Sequence, residues 1–286
     1  MTRGWRTLLT TPSAALGIAV MLVACLGAVF APWLAVQNPF DLASLSIADS
    51  LLPPGSVGST GTLYLLGTDE QGRDIFSAVL YGLRISLGVA TVATLVACMI
   101  GTAAGMTAAY SGGWLDALLM RLADVQLAFP GILVALVLMA VFGSGLDKVV
   151  IAIVAVQWAY YARTARSAAL VERQKEYILA ARNLQFSTAR IVGVHLLPNS
   201  VSVLAVVIVV QMSSAVALEA TLSFLGVGLP ITKPSLGLLI ANGYSSMLTG
   251  EYWLSLYPGI VLVVVLLATN LVGDRLRELN DPKGLV

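Results

Sequence analysis

Six apolar stretches constrain this chain more than any single motif in it. About 20 helical residues cross the roughly 30 Å hydrocarbon core of a bilayer. The stretches at 13–35, 84–110, 118–143, 147–167, 199–225 and 253–273 reach that length. Hydrophobic residues make up 58% of the sequence and charged residues 11%, whereas charged residues fill about a quarter of a soluble domain. Lipid is the solvent that suits this composition, and the expected fold class is an all-α integral membrane protein with about six transmembrane helices. The first stretch follows Arg3 and Arg6 as a signal peptide would, but it is longer than a typical signal core and reads as an uncleaved helix. The fourth is bounded by Lys148 and by Arg163 and Arg166, whose long side chains can reach the interfaces.

The distribution of Lys and Arg sets the orientation. With the N-terminus in the cytoplasm, six crossings return the C-terminus there. The cytoplasmic side then holds Arg3, Arg6, Arg121, Arg163, Arg166, Arg173, Lys175, Arg182, Arg190, Arg275, Arg277 and Lys283, and the outside holds Arg73, Arg84, Lys148 and Lys233. That places 12 of the 16 basic residues inside, a positive-inside bias. Two connections are long. Residues 36–83 lie outside and carry Pro53-Pro54-Gly55 and a Gly/Ser/Thr stretch to Gly61, an irregular, turn-rich segment. Residues 168–198 lie inside and have helical periodicity. The expected organisation is an N-terminal unit, 1–83, of one helix and the outer loop, followed by a five-helix core, 84–286, that carries the inner loop.

Several chemistries are disfavoured. The net charge is +1, which offers no field suited to nucleic acid. There is one histidine, His195, and no H-E-x-x-H, so zinc proteolysis does not fit, and Cys25 and Cys98 read as small buried hydrophobes. No G-x-x-x-x-G-K-[ST] sequence occurs, so ATP, if it is used, must be bound by another polypeptide. Intramembrane polar residues are few. Glu219 and Gln211 are candidates for a translocation path or for bonds between helices, as are Gln126, Gln157 and Asn270. Asp124 and Arg121, spaced i,i+3, read as a local ion pair. Gly101 and Gly105 form a GxxxG pattern, a weak signal in a chain with 26 glycines.

In the inner loop, Tyr177, Ala180, Ala181 and Leu184 fall on one helical stripe whose alanines let another surface approach, and Arg182 falls on the other side. Ser187 can cap a second short helix that Pro198 terminates. Such a pair of helices suits a docking knob, and equally a helix lying on the inner leaflet.

The stretch Glu176-Tyr-Ile-Leu-Ala-Ala-Arg-Asn-Leu-Gln-Phe-Ser-Thr-Ala-Arg-Ile191, running on to His195-Leu-Leu-Pro-Asn199, resembles the EAA loop of binding-protein-dependent ABC importer permeases. Ala180, Ala181, Leu197 and Pro198 match the core pattern. Leu179 stands where that family often has Glu, and Gln185 where it usually has Gly, which predicts a stiffened or redirected bend. Leu66-Gly-Thr-Asp-Glu-Gln-Gly-Arg-Asp-Ile-Phe-Ser77 followed by Tyr81-Gly82-Leu-Arg84-Ile-Ser86, then Glu219 to Gly228, Lys233 to Gly237, and Asn270 to Arg277, are similar to segments of the C-type permeases for dipeptides, oligopeptides and nickel. The resemblance implies a type I ABC importer permease fold in a bacterial inner membrane. It implies a homologous B-type permease partner, two ATPase subunits that bind ATP and Mg, and an extracytoplasmic solute-binding protein. The loop residues Glu176, Tyr177, Ala180, Ala181, Leu184, Gln185, Leu197 and Pro198 would then couple this chain to the ATPase, and the chain itself would be no enzyme and hold no cofactor. Peptides are the expected cargo, with nickel or another small solute as the alternative. An ion-coupled secondary carrier is the other reading, and it would show ion-gradient dependence without an ATPase.

Overall fold

The computed structural model describes residues 11–41, 45–230 and 233–280. Both termini, expected in the cytoplasm, lie outside these residues, as do Arg3, Arg6 and Lys283. The chain opens with α1 (Pro12–Val29) and the short α2 (Ala31–Leu34). A long connection to residue 74 follows, and then α3 (Ile75–Ser111), α4 (Gly113–Ala128), α5 (Gly131–Phe142) and α6 (Leu146–Glu172). A helical loop of α7 (Glu176–Asn183) and α8 (Thr188–Arg190) leads into α9 (Leu197–Phe224), α10 (Leu236–Tyr244) and α11 (Trp253–Asn280).

Four helical segments are long and apolar enough to cross a membrane, or five when α4 and α5 count as one bent span. Helix α6 has the length, at 27 residues, but is too polar to qualify by composition. Its charged side chains are paired within the fold. Arg166 makes a two-pronged contact with Asp116 of α4 (Nε–Oδ1 and Nη2–Oδ2, both 2.6 Å), and Arg163 reaches Asp124 at 2.7 Å. This corrects the expected Arg121–Asp124 pair: Asp124 is claimed by the neighbouring helix.

Two expected boundaries move. The third apolar stretch, 118–143, is not one helix, because α4 and α5 meet at 93°. Pro130 forces Phe129 into extended backbone (φ −96°, ψ 142°) and cannot donate to the turn before it. Helix α3 begins at Ile75 rather than near 84, so a division at 83/84 falls inside a helix. Its start is fixed by Asp74, whose carboxylate accepts from the Ser77 backbone N (2.8 Å) and Oγ (2.6 Å). Ser77 Oγ in turn accepts from Val36 N at 3.0 Å, which ties the preceding loop to the helix.

The core forms where α3 crosses α6. A Cβ on Gly101 would lie 2.2 Å from Trp158 O, and one on Gly105 2.3 Å from Ala162 O. The GxxxG pattern therefore marks the contact that brings these two backbones together.

The described residues between α2 and α3 are irregular but tied together by specific bonds. A two-residue antiparallel ladder pairs Ser56 with Tyr64 and Val57 with Leu63. Asp49 sits beneath it, accepting from Ser59 N at 2.7 Å and from the Tyr64 hydroxyl at 3.3 Å. The Ser59 bond holds its carboxyl below the usual range. Thr68 Oγ1 donates to Asp49 O (2.5 Å) and Trp253 Nε1 to Thr68 O (3.2 Å), so the loop is pinned to the start of α11.

Candidate functional site

The helical loop 172–198 is built on a rigid base. Helix α7 is followed by the backbone bonds Gln185 N to Arg182 O (2.8 Å) and Phe186 N to Ala181 O (3.1 Å), the paired bonds of a Schellman stop. That stop needs a left-handed residue, and Gln185 supplies it with φ +55°. The bend where the resembling family usually has glycine is therefore present here, made by a residue with a side chain.

The expected stripe on α7 divides between two faces. Tyr177, Ala180 and Leu184 are exposed, with Leu184 at 68%, whereas Ala181 is 5% exposed and Ile178 fully buried. Ala181 and Ile178 join Ala109, Tyr161, Ala165 and Leu196 in one apolar cluster. Ala181 therefore packs this chain against itself and does not belong to an outward stripe, a correction to the sequence reading. The reason is the phase of the helix: Ile178 and Ala181 are i,i+3 neighbours, and the larger side chain takes the core. Glu176 lies on the exposed side with Tyr177, Ala180 and Leu184. Arg182, expected on the polar side, leans over the Tyr110 ring at 5.4 Å.

A polar joint fastens α7 to the flanking helices. The Tyr177 hydroxyl donates to Glu172 at the end of α6 and accepts from Asn199 Nδ2 of α9 at 3.1 Å. Lys175 Nζ lies 2.7 Å from the other Glu172 oxygen, and Asn199 also donates to His195 O at 2.7 Å. Desolvation, together with the Glu172 carboxylate, pushes the Tyr177 phenol up to about 12. His195 stacks on Phe186 with ring centroids 6.3 Å apart. Sequence reasoning missed Glu172, Asn199 and Ile178; of these, only Ile178 left a signal, its i,i+3 spacing to Ala181.

Pro198 does not terminate the second helix. Residues Thr188–Phe224 run on as one helical span, with a π-helical turn at Ile191–Leu196 before Pro198. The wider turn absorbs the donor that proline lacks. Ser187 occupies the N-cap position without a side-chain cap bond, and Leu197 and Pro198 are exposed.

Glu219 and Gln211, the path candidates, both lie in the interior of the chain. Glu219 is fully buried, and its Oε1 accepts from Ser223 Oγ at 2.7 Å while Oε2 has no partner among the described residues. Gln211 is 7% exposed, and its backbone carbonyl accepts from Gln157 Nε2 of α6 at 2.8 Å. Lining a path would require these helices to part. The segment after Glu219 makes a tight stop, in which Gly228 N donates to Leu222 O (3.0 Å) and Gly228 O accepts from Gly145 N (3.1 Å).

A bundle of long apolar helices with a short helical knob packed at one end is the architecture of a multi-pass membrane protein. The inward-facing MetNI methionine ABC transporter has a chain of this fold (TM-score 0.58, 18% identity, 71% of this chain and 97% of that one). The model of the binding-protein-dependent transport system inner membrane component family matches residues 100–284, and the chain belongs to that family. Relatives agree along nearly the whole length. The dipeptide transport system permease protein DppC of Haemophilus influenzae is 34% identical over 94% of this chain and 90% of its own. DppC of Bacillus subtilis is 33% identical over 98% of this chain and 84% of its own. The glutathione transport system permease protein GsiD of Pectobacterium atrosepticum is 36% identical over 98% and 90%. The chain is thus a multi-pass permease subunit of an ABC importer.

Proposed function

We propose that this chain forms half of the translocation path for short peptides, together with a homologous B-type permease, and that α7 seats in a groove of an ATPase subunit. A solute-binding protein would deliver the cargo outside, and ATP with Mg would be bound by two ATPase subunits. Two relatives named for dipeptide transport and one for glutathione support the cargo class. The observation that carries the coupling reading is that α7 offers Glu176, Tyr177, Ala180 and Leu184 outward while Ile178 and Ala181 lock it inward. A rigid, partly apolar, small-residue helix face suits helix-in-groove recognition. A fastened knob also transmits force: movement imposed on α7 reaches α6 through Glu172 and α9 through Asn199. An ATP cycle in the partner could thereby bias an inward/outward equilibrium.

The test separates docking from folding. Leu184→Asp places a charge on the exposed face, and an unpaired carboxylate in a desolvated contact costs several kcal/mol, roughly the whole margin of a modest interface. The variant is expected to insert and fold normally yet lose the ATPase on co-purification. Ala181→Asp is expected to fail earlier, because its charge enters this chain's own core. Retention of the ATPase and wild-type uptake by Leu184→Asp would show that this face docks nothing.

A further inference from the structure

Four basic side chains stand at the end of the molecule that carries loop 36–83. Arg73 is matched by Asp69 (Nε–Oδ2 3.4 Å) and Gln71, and Lys148 by Asp147 at 2.6 Å. Arg84 and Lys233 have no carboxylate partner among the described residues, and both line one cavity of about 650 Å³. The cavity lies between the outer ends of α3 and α6, and no acid lines it among the described residues. Its wall includes Phe40 and Tyr81, which meet edge to face at 5.2 Å, and the aliphatic side chains of Ile85, Val89 and Val150. That volume lies within the ordinary range for small-molecule sites, about 300–1,000 Å³. Arg84 and Lys233 are both exposed, so the cavity offers two accessible cations beside an apolar wall, a pairing that suits an anion with an apolar body.

We propose that this cavity receives the C-terminal carboxylate of a short peptide, with Arg84 and Lys233 holding the charge and the aliphatic wall accepting a neighbouring side chain. The guanidinium suits a two-pronged carboxylate contact, and the ammonium adds a point charge. This rests on the reading of the chain as a peptide permease and deepens it, because it assigns the end of the cargo that the permease recognises. It also predicts discrimination against peptides whose C-terminus is amidated.

Gly88 lines the same cavity, and a Cβ there would meet nothing within 4 Å, so Gly88→Cys is a neutral reporter. It is introduced in a chain carrying Cys25→Ala and Cys98→Ala, within the complete transporter reconstituted in vesicles of defined phosphatidylglycerol content. Maleimide alkylation at position 88 is then followed with a tripeptide free acid or its C-terminal amide present. The free acid is expected to protect, and the amide is not. Arg84→Gln or Lys233→Gln should weaken protection about tenfold, the worth of one charge-assisted hydrogen bond, and Arg84→Lys should restore part of it. Equal protection by acid and amide, or protection unchanged in both Gln variants, would overturn the proposal. So would protection that follows phosphatidylglycerol content and ignores peptide, which would make the cavity a lipid site. ATP-dependent uptake by the unsubstituted complex is measured separately: if it carries neither peptide, the transport reading fails instead.

Discussion

Gln185 carries the left-handed turn that ends α7, with φ +55°. A residue with a Cβ is about 1–2 kcal/mol less comfortable there than glycine, and glycine returns part of that difference through the freedom it gives the unfolded chain. Gln185→Gly should therefore stabilise the loop by roughly 0.5 kcal/mol and leave ATPase retention intact. Thermal unfolding of the solubilised complex reads this, and a fall in melting temperature would mean that the Gln side chain makes a contact worth more than the strain. The sequence flagged this position through its departure from the family pattern, but could not say whether the bend survives. The Schellman bonds at Gln185 and Phe186 show that it does. Glu219 was legible as an unusual residue and no further, since its bond to Ser223 and its unpartnered oxygen depend on which helices close over it.

At the scale of elements, the joint at Tyr177 sets how α7 moves relative to its neighbours. Tyr177→Phe keeps the ring against His195 and removes the hydroxyl shared by Glu172 and Asn199. A hydrogen bond to a charged group is worth about 1.5–3 kcal/mol, less where water can replace it, as at this half-exposed site. The expected outcome is a complex that keeps its ATPase while transporting fewer molecules per ATP hydrolysed. An unchanged ratio of uptake to hydrolysis would exclude the joint as a transmission element. The sequence placed α7 correctly because its length and periodicity are local. It misassigned Ala181 because a stripe of small residues fits either an outer groove or an inner seam. The bend between α4 and α5 had its cue in Phe129-Pro130-Gly131, hidden inside an apolar run that hydropathy alone treats as continuous.

Across the whole molecule, the positive-inside asymmetry makes a prediction for intact cells. Cysteine at Ser56, in the outer-loop hairpin, should react with a membrane-impermeant maleimide, and cysteine at Thr188 should react only after the membrane is opened. Labelling of position 188 from outside would reverse the orientation. Position 232, on the same expected outer side, lies outside the described residues. The helix bundle presents many large apolar side chains outward, such as Val23, Val137 and Leu267, as a surface solvated by lipid or covered by a second permease would.

By itself, the sequence determined the solvent and the family, and it located four of the six expected spans as long apolar helices, because hydropathy, charge and motif order are properties of the chain read in one dimension. Tertiary structure alone decided that Gly101 and Gly105 mark the main helix crossing and that Arg163 and Arg166 pair with Asp124 and Asp116. It also decided that Ala181 faces inward and that Arg84 and Lys233 share a cavity without an acid among the described residues. The physical reason is common to all four: close packing and ion pairing are set by which distant segment arrives opposite, and no local average of residue character contains that information.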